Sequence, residues 1–184
     1  MGEAGPYTRW TNKWVNKMTT DAEHTARVCV EVNDVEYERD VPARMLLCDF
    51  LRIELGLTGT HVGCEQGVCG ACTVLFNGDS VRACLTFAAQ CDGAQLHTVE
   101  CLGSVTALGS LQQLFREHHA LQCGFCTPGM LMTTLDLLRK YPLDSDAEIR
   151  EGLSGNLCRC TGYEGIVAAV RAAVRARDAG ELIL

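Results

Sequence analysis

The sequence predicts an α+β protein in which a β-rich half precedes an all-helical half. From Arg27 onward, apolar and polar residues alternate, which is the period of a half-buried strand. Beyond Cys101, apolar residues recur at intervals of three and four, which is the period of an amphipathic helix. Each half contains one set of four cysteines. We therefore predict an N-terminal extension at residues 1–24 and cysteine-bearing domains at 25–100 and 101–184.

The first half is predicted to begin with a β-hairpin and a helix. Residues 28–32 and 35–39 both alternate, and an Asn-Asp turn signal separates them. Residues 45–55 are helix-forming and end before Gly56, a residue that commonly stops a helix. A last strand is predicted at 95–100.

A second predicted hairpin brings two cysteines together. Residues 73–76 and 79–83 flank an Asn-Gly pair, which is the strongest short hairpin signal. A two-residue turn pairs Phe76 with Asp79, and counting outward from that pair brings Cys72 beside Cys84.

The second half is predicted to contain four helices. Apolar stripes at helical spacing cover residues 111–118, 131–138, 149–153 and 163–174. No internal repeat or low-complexity run interrupts them.

Composition excludes several classes of function. The 184 residues carry a formal net charge of −7, which argues against nucleic acid as a partner. No apolar run approaches the length of a membrane span. The first 24 residues lack the apolar core of a secretory signal and an Arg-Arg pair. These features predict a cytoplasmic protein, and in that reducing compartment clustered cysteines usually bind metal.

Eight of the twelve cysteines form two sets with metal-binding spacing. The first set reads C-x4-C-x2-C-x11-C, and its first three positions match the plant-type 2Fe-2S ferredoxin pattern. The loop around it is rich in glycine, which permits tight turns around a cluster. Its members are Cys64, Cys69, Cys72 and Cys84.

The second set reads C-x2-C-x31-C-x-C. Thr127 is expected to cap a helix that begins at Pro128, and Thr161-Gly162 leads into the last helix. Both cysteine pairs would then precede helix N-termini, where negative charge is favoured. Its members are Cys123, Cys126, Cys158 and Cys160.

Spacing alone leaves alternatives open. Structural zinc sites also use four cysteines as two short-spaced pairs, which the second set resembles more than the first. A disulfide scaffold is disfavoured by the size of the chain. His61 is interpreted as a polar loop residue rather than a ligand. The remaining cysteines are expected to be small buried apolar residues; they are Cys29, Cys48, Cys91 and Cys101.

Three motifs resemble the small iron–sulfur subunit of molybdenum hydroxylases, the family that includes xanthine dehydrogenases, aldehyde oxidoreductases and carbon monoxide dehydrogenases. They are GCEQGVCGAC at 63–72, QCGFCTPG at 122–129 and GNLCRCTGY at 155–163. The resemblance covers residues 27–175. It implies a plant-ferredoxin-like β-grasp domain followed by a four-helix bundle, with one 2Fe-2S cluster in each.

The resemblance also implies partners and an electron route. A large subunit would bind the molybdopterin cofactor and a medium subunit FAD, and a dimer of such heterotrimers is compatible with the family. The second cysteine set would bind the proximal cluster, nearest molybdenum, and the first set the distal cluster, toward the flavin. Gln122 and Cys160 would contact the pterin.

The predicted function is electron transfer within a heteromeric oxidoreductase. We predict no catalytic acid, base or nucleophile in this chain. Two other hypotheses remain at this point: a stand-alone iron–sulfur carrier or sensor, and a zinc-stapled interaction module, which would be colourless.

Overall fold

A computed structural model of the protein describes residues 24–182. The predicted N-terminal extension lies outside this range except for His24. The first half contains one mixed sheet of five strands, in the spatial order β2-β1-β5-β3-β4. The strands are β1 (Thr25–Val32), β2 (Val35–Pro42), β3 (Thr73–Phe76), β4 (Asp79–Arg82) and β5 (Gln95–His97).

Both predicted hairpins are confirmed. Strands β1 and β2 pair antiparallel through Val32 and Val35, and β3 and β4 pair through Phe76 and Asp79. Strand β5 lies between the hairpins, parallel to β1 and antiparallel to β3. It is shorter than the strand predicted at 95–100, because a 3-10 turn, Val99–Leu102, follows it.

The helix predicted at 45–55 is present but irregular. Helix α1 (Leu47–Asp49) continues directly into a π-helical stretch, Phe50–Glu54. The N–H of Leu55 donates to the carbonyl oxygen of Phe50 at 3.1 Å, five residues back, as in a π-turn. Phe50 and Leu51 are both fully buried against the sheet, so tertiary packing determines the local geometry.

The four helices predicted in the second half are confirmed. They are α2 (Ser110–Glu117), α3 (Thr127–Lys140), α4 (Asp146–Gly152) and α5 (Glu164–Asp178). Helix α5 packs against each of the other three and buries Ile166 and Val170 completely. Ser145 caps α4 through a reciprocal pair of hydrogen bonds with Glu148, which satisfies backbone donors at the helix start.

The α+β class is therefore confirmed, with two clusters of buried apolar residues. One underlies the sheet and includes Phe50, and the other is centred on α3 and α5. The two are not independent, since α3 packs on β3 and Leu75 of that strand belongs to the helical cluster. The predicted domain boundary near residue 101 stays a prediction. Between residues 24 and 182, no helix is long and apolar enough to cross a membrane.

Candidate metal centres

The first cysteine set surrounds the start of the β3–β4 hairpin. Cys64, Cys69 and Cys72 lie on the loop before β3, and Cys84 lies in a 3-10 turn just after β4. The N–H of Ala83 donates to the carbonyl oxygen of Cys72 at 3.2 Å, and the thiols of Cys72 and Cys84 lie close enough for Cys84 to affect the pKa of Cys72. The proximity predicted from the hairpin register is thus present.

Cys64 and Cys69 form the other half of this set. The N–H of Cys69 donates to Sγ of Cys64 at 3.4 Å. The loop between them turns tightly, with Glu65 at φ 52° and Gly67 at φ 79°. Gly70 follows at φ 72°, a left-handed conformation that glycine adopts without a Cβ penalty. The glycine-rich loop therefore wraps the cysteines as expected.

The thiols of the first set differ in acidity because their surroundings differ. Hydrogen bonds from the backbone of Gln66 and Cys69 lower the pKa of Cys64 to about 6. Burial raises the pKa of Cys72 to about 12. A buried thiolate is costly in an apolar site, and a bound metal ion offsets that cost by replacing the proton.

The second cysteine set lies where two helices begin. Cys126 is the residue immediately before α3, with Cys123 just upstream. Cys158 and Cys160 lie on the loop that connects α4 to α5. Sγ of Cys123 lies 3.5 Å from Sγ of Cys160, and the thiols of Cys126 and Cys158 lie close enough for Cys158 to raise the pKa of Cys126. The structure thus brings the cysteines at the two ends of the intervening 31 residues together as two close pairs.

The predicted cap of α3 was wrong by one residue. Cys126 is the N-cap, whereas Thr127 is the first helical residue and Pro128 the second. The N–H of Thr127 already bonds to the carbonyl oxygen of Gly124 at 3.1 Å, so the chain turns before Thr127 is reached. The Thr127 hydroxyl is buried without a hydrogen-bond partner in the described structure.

Hydrogen bonds also distinguish the thiols of the second set. Sγ of Cys158 lies 3.0 Å from the Thr161 hydroxyl oxygen and accepts from the Thr161 N–H at 3.5 Å. Burial alone would raise the pKa of Cys158, but these hydrogen bonds lower it overall. Burial raises the pKa of Cys126 to about 12, and the hydrogen bond with Cys123 raises the pKa of Cys160.

Each set therefore consists of two close cysteine pairs. The pairs are Cys64 with Cys69, Cys72 with Cys84, Cys123 with Cys160, and Cys126 with Cys158. In the described range, no three His, Cys, Asp or Glu side chains are grouped to bind a single metal ion, and all twelve cysteines are free of disulfides. Two thiol pairs suit a centre with two metal ions, one pair per ion, which is the donor set of a four-cysteine 2Fe-2S cluster.

The predicted burial of the four remaining cysteines is correct for two of them and wrong for the other two. Cys48 and Cys91 are buried as expected, and burial raises the pKa of each to about 11. Cys29 and Cys101 are exposed, which corrects the prediction. Cys29 alternates with buried Val28 and Val30 on β1, so the strand period itself places its side chain on the opposite face.

One buried polar residue near the sites was missed. Asn156 is only 2% exposed, and its amide donates to the carbonyl oxygen of Gly70 at 3.0 Å. The sequence contained Asn156 within the third motif, but its partner is 86 residues away and no local signal indicates the contact. Gln122, the predicted pterin contact, is exposed beside the second set.

Two protein families match consecutive parts of the chain. Residues 30–103 match the family described as 2Fe-2S iron-sulfur cluster binding domain. Residues 98–171 match the family described as [2Fe-2S] binding domain. Each match contains one of the two cysteine sets.

Relatives that match most of the chain decide the family. The chain is 56% identical over 149 residues to caffeine dehydrogenase subunit gamma of Pseudomonas sp. (strain CBB1), covering 78% of this chain and 88% of the relative. This chain is a small iron–sulfur subunit of the molybdenum hydroxylase family. The nicotine 6-hydroxylase small subunit of Paenarthrobacter nicotinovorans is also 56% identical, over 77% of this chain and 85% of that one.

Solved structures of molybdenum hydroxylases have the same fold. Quinoline 2-oxidoreductase from Pseudomonas putida 86 contains a chain that superimposes with a TM-score of 0.81 and 48% identity. The match covers 88% of this subunit and 100% of that chain. Aldehyde oxidoreductase from Desulfovibrio gigas gives a TM-score of 0.79 at 41% identity, over 84% of this subunit and 17% of that longer chain. This iron–sulfur subunit therefore belongs to an oxidoreductase, and the zinc-stapled module is set aside.

Proposed function

We propose that this subunit carries electrons from a molybdopterin-binding large subunit to an FAD-binding medium subunit through two 2Fe-2S clusters. The observation that carries the proposal is the division of each cysteine set into two close pairs. In this assignment the first set, Cys64, Cys69, Cys72 and Cys84, binds the distal cluster. The second set, Cys123, Cys126, Cys158 and Cys160, binds the proximal cluster.

The clusters, when bound, supply one-electron redox chemistry. The residues of this chain bind them, fix their separation and control the surroundings of their sulfur ligands. Hydrogen bonds from Cys69 to Cys64 and from Thr161 to Cys158 act on ligand sulfurs, and such bonds are one of the protein's means of tuning reduction potential. Burial of Cys72 and Cys126 is a second means of tuning the reduction potential.

The surface around the second set is open to a partner subunit. Cys123, Cys160 and Gln122 are exposed, so a partner's pterin could reach them directly. Phe125 and Leu157, beside the same cysteines, are 48% and 52% exposed. Exposed apolar patches rimmed by polar residues mark protein interfaces, and we assign this surface to the large subunit.

A second exposed apolar pair flanks the first set. Val68 and Leu85 are 58% and 61% exposed, and Leu85 lies against the loop at Gly67. We assign this surface to the medium subunit, on the side of the distal cluster.

The same proposal covers the fold, the compartment and the assembly. Helices α2 to α5 form the family's four-helix bundle, the protein is located in the cytoplasm, and two heterotrimers can associate.

Anaerobic purification from the native source tests this function. We expect a brown complex with larger pterin- and flavin-containing chains, and about four irons per copy of this subunit together with acid-labile sulfide. Stoichiometric zinc without iron would overturn the cluster assignment. A lone chain that holds both clusters and reduces other proteins by itself would instead support the stand-alone carrier.

A further inference from the structure

A buried polar cluster connects the two cysteine-bearing loops. At its centre is Asn156, which lies two residues before Cys158 and is almost completely buried. We call the group the Asn156 cluster; its other members are the side chains of Thr73, Arg82 and Thr133 and the carbonyl oxygens of Gly70 and Gly155.

Asn156 uses its donor and its acceptor on different elements. Its amide nitrogen donates to the carbonyl oxygen of Gly70, between Cys69 and Cys72, at 3.0 Å. Its Oδ1 accepts from the hydroxyl of Thr133 on α3 at 3.0 Å. One side chain thus joins the loop of the first set, the loop of the second set and the helix that begins at Cys126.

Arg82 completes the connection from β4. Its guanidinium donates to Thr73 Oγ1 at 2.6 Å, to the Gly155 carbonyl oxygen at 2.7 Å and to Asn156 Oδ1 at 3.4 Å. These three acceptors are neutral oxygens. Arg82 is also two residues from Cys84, so the same contacts link the hairpin of the first set to the loop of the second.

A backbone hydrogen bond crosses between the loops at the same place. The N–H of Leu157 donates to the carbonyl oxygen of Cys69 at 2.8 Å. Cys69 belongs to the first set, and Leu157 is the residue before Cys158 of the second. The two sets are therefore separated here by one hydrogen bond and short lengths of chain.

The two loops and α3 approach so closely here that no Cβ fits at the contact. A Cβ at Gly70 would lie 2.5 Å from the carbonyl oxygen of Gly155 and 2.7 Å from Cγ of Asn156. A Cβ at Gly129 of α3 would lie 2.2 Å from the carbonyl oxygen of Gly70. Only glycine permits these approaches, so the contact is specified by sequence on both sides.

We propose that Asn156 is a positioning residue for electron transfer between the two clusters. By binding Gly70, Thr133 and Arg82 together, it fixes the distance and orientation of one cysteine set relative to the other. The inference rests on the proposed function, since it concerns the step between two bound clusters. It predicts that Asn156 affects the interaction between the clusters rather than the binding of either one.

The test uses the full chain with its native partners, purified anaerobically and fully reduced. Low-temperature electron paramagnetic resonance measures the magnetic interaction between the two reduced clusters, which falls steeply with their separation. The variant is Asn156→Asp, which keeps the volume and the acceptor for Thr133 but removes the donor to Gly70. Its carboxylate would repel the Gly70 carbonyl and pair with Arg82, so the loops should separate. The matched control is Thr134→Val, at the position next to Thr133 on α3. The Thr134 hydroxyl is buried without a hydrogen-bond partner in the described structure.

The expected result is a partial loss of the magnetic splitting in Asn156→Asp and no loss in Thr134→Val. The splitting is normalised to the fraction of molecules that hold both clusters. Each cluster's own signal should persist. Unchanged splitting in Asn156→Asp, or no interaction in the unaltered protein, would overturn the inference. If Asn156→Asp does not accumulate, the milder Thr133→Val decides by the same comparison. Absence of iron and sulfide from the unaltered protein is a different result, because it would overturn the proposed function itself.

Discussion

The imidazole of His61 stacks on the ring of Phe125, with centroids 4.9 Å apart and planes inclined by 23°. Its Nδ1 also lies 2.8 Å from the Phe125 carbonyl oxygen. His61 precedes the first cysteine set, whereas Phe125 lies between two cysteines of the second. This contact joins the two loops at the surface, as Asn156 does in the interior.

Replacing His61 should therefore loosen the contact between the loops without removing a metal ligand. We expect His61→Ala to lower the free energy of unfolding by about 1 kcal/mol, since it removes a stacked ring and a hydrogen bond at a partly exposed site. His61→Phe keeps the stacking and should recover part of the loss. Denaturant unfolding of the cluster-loaded chain measures both. Loss of iron from His61→Ala would contradict the interpretation of His61 as a non-ligand.

The two cysteine sets should be separable by mutation. Cys84→Ser should remove one of the two cluster signals in electron paramagnetic resonance and leave the other, because Cys84 belongs only to the first set. Cys126→Ser is the matched change in the second set and should remove the other signal. If either variant loses both signals, the two halves assemble as one unit.

Neighbouring threonines on α3 should differ in their effect on stability. Thr133 donates to Asn156, whereas the Thr134 hydroxyl has no partner in the described structure. Thr133→Val leaves Asn156 Oδ1 with only the longer hydrogen bond from Arg82, at 3.4 Å, and should lower the free energy of unfolding by about 1 kcal/mol. Thr134→Val keeps the volume and removes an unpaired hydroxyl, so it should be neutral or stabilising. Equal losses in thermal or denaturant unfolding would contradict this account of the Asn156 cluster.

The exposed Gln122 should matter at the interface with the large subunit rather than within this chain. We expect Gln122→Ala to slow reduction of the proximal cluster by substrate while the iron content stays unchanged. Rapid-mixing absorbance of the complex measures that rate. A control with dithionite, which reduces the clusters directly, should show no difference. An unchanged rate with substrate would remove the proposed pterin contact.

An exposed ion pair on the first hairpin predicts a local pH dependence. Arg27 donates to Asp40 at 2.7 Å, and this hydrogen bond keeps the pKa of Asp40 below its ordinary value. A lowered pKa stabilises the fold above the unfolded value of about 3.9, and that contribution is lost as pH falls through the folded pKa. Arg27→Gln should return the Asp40 titration midpoint, measured by nuclear magnetic resonance, toward about 3.9. An unchanged midpoint would contradict the pairing.

Features with a local cause were predictable. The hairpin at Asn77-Gly78 has its register determined by a two-residue turn, so the approach of Cys72 to Cys84 follows from counting. The helices of the second half follow from apolar spacing alone. The cap of α3 was predicted one residue too late and the π-helical stretch at Phe50–Glu54 was not predicted, because packing shifts helix ends and hydrogen-bond registers without a distinct sequence pattern.

The amino-acid sequence alone specifies the two cysteine sets, the order of a β-rich and a helical half, and the family resemblance carried by three motifs. The division of each set into pairs and the contact between the two sets follow from tertiary packing. Cys123 and Cys160 are 37 positions apart, and Asn156 and Gly70 are 86 apart. Contacts at such separations depend on how whole helices and strands pack together, and no short sequence pattern specifies them.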